Sequence, residues 1–161
     1  MRVEACPLPS RKRQRLSPFD YSAPGAYFVT ICVVERRFLF GEIRDGAMHP
    51  NALGTLVAQT WRDLPSVIPT IDLDAFVLMP NHVHAVIAIR EPAGRDLADI
   101  VRVFKSWSSR RVNAVRGGSG AVWQRGYHEH IVRNGDDLDR IRQYVRENPR
   151  AWADDLENPS L

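Results

Sequence analysis

Met79-Pro80-Asn81-His82-Val83-His84-Ala85-Val86-Ile87 joins a turn dipeptide to a β-type apolar run that opens on two histidines one residue apart. Side chains alternate along a strand, so His82 and His84 fall on one face. Their Cα atoms then lie roughly 6.6–6.8 Å apart. At that spacing two ring nitrogens can meet on one ion at about 2.0–2.1 Å, the length of a zinc–imidazole bond. Two polar residues half-buried on a sheet face would show the same pattern, so the flanking elements must decide between the readings.

Upstream, Leu73 to Met79 reads as a strand, joined tightly through Pro80-Asn81 to a second strand from His82 to Ile89. Ala26 to Val34 is rich in β-branched and aromatic residues, as a buried central strand requires. A hairpin is expected next, with Phe38 to Ile43 returning through Asp45-Gly46, a pair suited to a type I′ turn. Asn51 opens a helical pattern whose face is Leu53, Leu56, Val57, Thr60, Trp61 and Leu64, and Pro65 is expected to end it. Asp96 can cap a second helix running to about Arg116. Its inner face carries Leu97, Ile100, Val101, Phe104 and Trp107, and its outer face is expected to hold Arg102, Lys105, Arg110 and Arg111. After the break at Gly117-Gly118-Ser119-Gly120, Val122 to Arg133 reads as a strand containing His128 and His130. Asp136 to Asn148 reads as a last helix capped by Asn134. This order of strands and helices predicts an α+β fold: a ferredoxin-like sandwich with helices packed on one face of an antiparallel sheet.

A chain of 161 residues suits one domain. Residues 25–161 are assigned to it, and residues 1–24 to a basic, proline-rich arm containing Arg11, Lys12, Arg13 and Arg15. The net charge is +3, and Lys12 and Lys105 are the only lysines, so arginine supplies nearly all the positive charge. Arginine's planar fork suits phosphate. The arm residues and Arg102, Lys105, Arg110 and Arg111 are therefore the candidate nucleic-acid contacts. Cys6 and Cys32 form neither a disulfide framework nor a cysteine zinc pattern, which points to a reducing cytoplasm. The N-terminus lacks a signal-peptide core and no run of 18 apolar residues occurs, so neither secretion nor membrane spanning is expected. The absence of a P-loop argues against a nucleotide-driven motor.

In the last helix the apolar stripe is Leu138, Ile141 and Val145, and Tyr144 and Asn148 sit four apart along its edge. Pro149 is expected to turn Asn148 out of α geometry and free its side-chain oxygen for an ion. Packing alone would explain such a tyrosine, and a helix stop such an asparagine.

Taken together, these segments carry a resemblance. Phe76-Val77-Leu78-Met79-Pro80-Asn81-His82-Val83-His84 resembles the HUH motif of single-tyrosine transposases. Trp123-Gln124-Arg125-Gly126-Tyr127-His128-Glu129-His130-Ile131-Val132-Arg133 is similar to the segment preceding their catalytic helix. Tyr144-Val145-Arg146-Glu147-Asn148-Pro149, followed by Trp152, Asp155 and Glu157-Asn158-Pro159, resembles the closing signature of REP-associated tyrosine transposases. The likeness runs from about Tyr27 to Pro159. It implies that His82 and His84 bind a divalent metal, Mg²⁺ or Mn²⁺, that Asn148 supplies a third ligand where some relatives have glutamine, and that Tyr144 is the nucleophile. It further implies single-stranded or hairpin DNA as substrate and a covalent 5′-phosphotyrosine intermediate. Insertion-sequence members act as dimers that set each tyrosine against the partner's histidines, whereas REP-associated relatives can act as monomers, and both states stay open. His130 is read either as an accessory group beside the metal or the DNA backbone, or as a structural hydrogen-bonding residue. Two rival readings are a non-catalytic nucleic-acid-binding module on the same sheet and a metal-dependent hydrolase with a water nucleophile.

Overall fold

The run of apolar, β-branched and aromatic residues from Gly25 to Cys32 forms β1, the strand around which the sheet is built. The computed structural model describes residues 24–90 and 95–154; the arm residues Arg11, Lys12, Arg13 and Arg15 lie outside them. β1 pairs antiparallel with β5 (His82–Ile89) on one side and with β6 (His128–Ile131) on the other. β4 (Ile71–Met79) pairs with β5 at the far edge, giving the order β4-β5-β1-β6. β2 (Gly41–Arg44) and β3 (Ala47–Pro50) make a separate ribbon. Its turn has φ of 51° at Asp45 and 71° at Gly46, the two positive values a type I′ turn requires. Phe38, expected in this ribbon, precedes it, because the Leu39 and Phe40 amides both donate to Pro80 O, at 2.9 and 3.0 Å.

Strand alternation divides the sheet into two faces. Tyr27, Val29, Ile31, Val83, Ala85 and Ile87 point to the main core, where α1 (Ala52–Val67) contributes Val57, Trp61 and Leu64 and α2 (Leu97–Arg116) contributes Leu97, Ile100, Val101 and Phe104. Phe28, Thr30, His82, His84 and Val86 take the other face. There α3 (Gly135–Glu147) packs Ile141 and Val145 against Val86. The α+β class, the antiparallel sheet and the ferredoxin-like order therefore hold. Helices share one face only for α1 and α2, and α3 covers the opposite one, because the strand period sends Phe28 and Val86 away from the main core and leaves them an apolar patch to bury.

Local signals explain most boundaries. Asn51, Asp96 and Asn134 each accept a bond from the amide three residues on, and Gly117 closes α2 in the left-handed conformation. Pro65 does not end α1. It sits in the last turn, and the Ile68 amide closes the helix on Leu64 O. The expected long strand from Val122 shortens to His128–Ile131, because Gly126 at φ 74° interrupts the extended backbone. Trp107, expected in the core, is half-buried, with Arg111 over its ring at 5.6 Å. Among the described residues no helix is long and apolar enough to cross a membrane.

Gly54 lets α1 lie directly on the segment before the ribbon. A Cβ there would stand 2.2 Å from the backbone oxygen of Phe40 and 3.0 Å from Leu78. Gly54→Ala is expected to cost about 1–3 kcal/mol by overpacking, despite alanine's better helix propensity, and to lower the urea midpoint with an unchanged slope. An unchanged midpoint would show that the backbone yields freely there.

Candidate active site

Strand geometry turns the His-x-His spacing into contact. His82 Nε2 and His84 Nε2 lie 3.0 Å apart, with ring centroids at 4.5 Å. Both rings are fully buried. Each is held from behind through its other nitrogen. His82 Nδ1 lies 2.7 Å from Asn81 Oδ1, and Asn81 Nδ2 donates to Arg36 O at 3.3 Å. That second bond orients the carboxamide, so its oxygen faces the ring and His82 Nδ1 must carry the proton. Nε2 of His82 is then a lone pair. His84 Nδ1 lies 2.7 Å from Thr30 Oγ1, its cross-strand partner in the β1–β5 ladder. A hydroxyl donates or accepts, so His84 can place its proton on either nitrogen. It can donate from Nε2 to His82, or donate from Nδ1 to Thr30 and present a second lone pair.

Burial, then the neighbouring ring and Arg36, holds His82 well below the ordinary imidazole range. Burial, with a smaller contribution from His128, lowers His84 to about 3. Both rings are neutral at pH 7, the form that ligates metals.

Tyr144 reaches this pair from the same chain. Its ring lies 5.3 Å from that of His84 and 6.1 Å from Phe28, which itself stacks on His84 at 5.5 Å. Four residues beyond Asn148, Trp152 lies 6.1 Å from His82. Tyr144 and Trp152 thus bracket Asn148 at four-residue spacing, and the rings of both lie near the imidazole pair. Asn148 is buried, and its Oδ1 has no hydrogen-bond partner among the described residues. The expectation that Pro149 would turn Asn148 out of α geometry is corrected: Asn148 has φ −55° and ψ −42°. The turn continues through Ala151, whose amide bonds Glu147 O and Asn148 O, both at 3.1 Å. Burial of Asn148 outweighs the steric preference of a residue before proline.

His130 does not join the imidazole pair. Its Nε2 lies 2.9 Å from Asp137 Oδ2, which also accepts from the Arg133 amide at 3.1 Å, while Arg140 bonds the other oxygen. Burial alone would raise the Asp137 carboxyl; the bonds from His130, Arg133 and Arg140 overcome it and bring the group down to about 2. This cluster ties the start of α3 to β6. Farther along α3, Arg142 grips Asp74 of β4 with two bonds of 2.7–2.8 Å.

The proposed α2 contacts lie on the sheet face remote from the histidines, and two of them turn inward. Lys105 Nζ donates to Gln124 O at 2.6 Å and Gly126 O at 3.0 Å, and burial lowers its pKa. Arg111 bonds Thr60 Oγ1 and Asp63. The outer-face reading of Lys105 and Arg111 is therefore corrected: each fills an interior polar gap left by a loop or by α1. Arg110 is exposed, and Arg102 is exposed and paired with Asp99. Thr30, Asn81 and Arg36 went unnoticed in the sequence. Thr30 and Arg36 carry no local signal; Asn81 does, by preceding His82.

The architecture defines a class: a ferredoxin-like sheet with a paired-imidazole centre and a tyrosine from a covering helix. Residues 66–148 match the family model described as transposase IS200 like. A Haemophilus influenzae protein described as uncharacterized is 33% identical over 169 residues, spanning 90% of this chain and 91% of that one. Among solved structures, a REP-associated tyrosine transposase bound to a REP hairpin aligns with a TM-score of 0.62 at 20% identity, over 83% of this chain and 72% of that one. A candidate transposase from Deinococcus radiodurans aligns at 0.52 and 18% identity, over 84% and 95%. The two structures share the fold. The chain belongs to the IS200-like transposase family.

Because the unfolded chain protonates both histidines first, metal-free stability should be full above about pH 6.5 and fall with acidification by about 1.4 kcal/mol per pH unit for each ring, until His84 itself titrates near 3. Urea midpoints in EDTA at pH 7 and 5 would read this, and His82→Gln with His84→Gln should flatten the slope. A pH-independent parent would contradict the neutral buried pair. Asp137→Ala should cost about 1–3 kcal/mol at neutral pH, since it removes the charge-assisted bonds that His130, the Arg133 amide and Arg140 make to one carboxylate. Chemical denaturation measures that loss, which should vanish in strong acid as the parent's carboxyl titrates near 2.

Proposed function

We propose that this transposase-family protein nicks and rejoins single-stranded DNA next to hairpins in REP-like repeats, using Tyr144 as nucleophile. The observation that carries the reading is the Tyr144 ring lying 5.3 Å from His84 within one chain, beside two imidazole Nε2 atoms 3.0 Å apart. It supports action in cis by a monomer. The REP hairpin bound by the structural relative supports the substrate class.

Tyr144 Oη gives up its proton to solvent and attacks the scissile phosphorus, and the bond from phosphorus to the 3′ oxygen breaks. The 5′ phosphate stays on the tyrosine, and the leaving oxygen takes up a proton as a 3′ hydroxyl. A phenol has a pKa of about 10, so phenolate is a good leaving group when a 3′ hydroxyl attacks in return. The step is reversible without ATP.

The residues present fit a divalent ion. Asn148 Oδ1 is buried without a partner, His82 presents a lone pair set by Asn81, and His84 gains one through Thr30. Two imidazoles and one amide oxygen leave positions for phosphate and water, as Mg²⁺ or Mn²⁺ requires. Bound there, the ion would polarise and orient the phosphate. His82, His84 and Asn148 would hold it; Asn81 and Thr30 would fix the ring nitrogens that face it. Phe28, against both His84 and Tyr144, covers one side of the site. A hydrolase with a water nucleophile would have no use for the phenol packed on His84.

Incubation with Mn²⁺ and pooled single-stranded hairpins is expected to yield denaturant-resistant protein–DNA bands. Tyr144→Phe should abolish them while hairpin binding persists, and EDTA should suppress them. His82→Ala with His84→Ala should remove both the bands and Mn²⁺ binding, and Asn148→Ala should weaken Mn²⁺ binding by about tenfold or more. Normal bands from Tyr144→Phe would overturn the nucleophile, and normal bands from the double histidine variant would overturn the metal site.

A further inference from the structure

Between β1 and β2 the backbone passes through two successive side-chain-bearing residues in the left-handed region, Glu35 at φ 56° and Arg36 at φ 54°. Such a pair persists only where its surroundings enforce it. Here the turn that launches His82 does so. The Val33 amide bonds Asn81 O at 2.8 Å, Asn81 Nδ2 bonds Arg36 O at 3.3 Å, and the Leu39 and Phe40 amides bond Pro80 O. The consequence is a phenyl ring held outward: Phe38 is 51% exposed. Its ring lies 5.6 Å from Trp152, and Trp152 lies 6.1 Å from His82. Rings therefore follow one another from solvent to the nucleophile in the order Phe38, Trp152, His82, His84, Tyr144. Two arginines precede Phe38 in the chain: Arg36, whose charge is felt at His82, and the exposed Arg37, which lies 3.5 Å from Glu35.

We propose that Phe38 and Trp152 form a stacking platform for an unpaired nucleobase next to the phosphate that Tyr144 attacks, with Arg36 and Arg37 beside the adjoining sugar–phosphate backbone. The inference rests on the reading of the site as a single-strand DNA transesterase and names a part of its substrate contact. Flat aromatic faces edged by cations suit single-stranded nucleic acid, because every unpaired base offers a π-face and every nucleotide a negative charge. Bases within a duplex are already stacked and gain nothing from such a surface. A protein partner would need on the order of 1,000 Å² of contact, which two rings do not supply.

The test uses the full chain carrying Tyr144→Phe, so that binding is read without chemistry. Its probes are fluorescent DNA hairpins with a short randomised single-stranded flank, and the same hairpins with blunt ends. Phe38→Ala is expected to weaken binding of the flanked pool by about tenfold or more and to leave the blunt hairpins unaffected, whereas Phe38→Tyr restores the flanked affinity. Trp152→Ala should reproduce the selective loss. Flanked binding that survives both alanine variants, or falls equally for flanked and blunt DNA, overturns the platform while leaving the proposed nickase standing. Failure of the Phe38-intact protein to favour the flanked pool would remove the single-strand reading itself, and the platform with it.

Discussion

The buried carboxamide of Asn81 is the constraint on which the site depends. Its amino group and its oxygen serve different neighbours: the amino group donates to Arg36 O on one side and the oxygen accepts from His82 Nδ1 on the other. Amide and imidazole are both out of water, so an orphaned atom on either would cost about 1–3 kcal/mol. Rotating the carboxamide would orphan two groups at once. The tautomer of His82 and the path of the segment from Val33 to Phe40 are thereby linked through one side chain. His84 is held less rigidly, because the Thr30 hydroxyl serves it in either tautomer. One ring is fixed and the other adapts, which allows the pair to satisfy itself when alone and to present two lone pairs to an ion.

The second requirement is that α3 stay on the sheet face that carries the histidines. The apolar patch there is small, with Val86, Ile141 and Val145 at its centre and Phe28, Val77, Leu138 and Tyr144 around it. Burying each of the two helix residues contributes roughly 1.5–3 kcal/mol. The half-exposed Arg142–Asp74 pair adds about 1 kcal/mol or less, so its value lies more in direction than in strength. Asp137 is different in kind. Its buried carboxylate gathers the His130 ring, the Arg133 amide and Arg140 at the start of α3. With its N-terminus tied to β6 and its middle to β4, the helix holds Tyr144 over His84. His130 thus bonds the start of α3 and stands apart from the imidazole pair.

Much of this was legible in the chain itself. Asp96 and Gly117 bracket α2 with a cap at each end, the strand period put both imidazoles on one face, and helical spacing put Tyr144 and Asn148 side by side. These are short-range properties of backbone geometry, and they survive whatever packs around them. Tertiary packing decided the rest. That Thr30 lies opposite His84 follows from a register between residues 54 apart in sequence. That Lys105 and Arg111 turn inward follows from carbonyls and a hydroxyl brought up by other segments. That Asn148 stays helical before a proline follows from its burial. The order of elements was readable, but the face that α3 covers was not, because its apolar stripe fits either side of a sheet and only the Phe28 and Val86 patch left uncovered by α1 and α2 selects one.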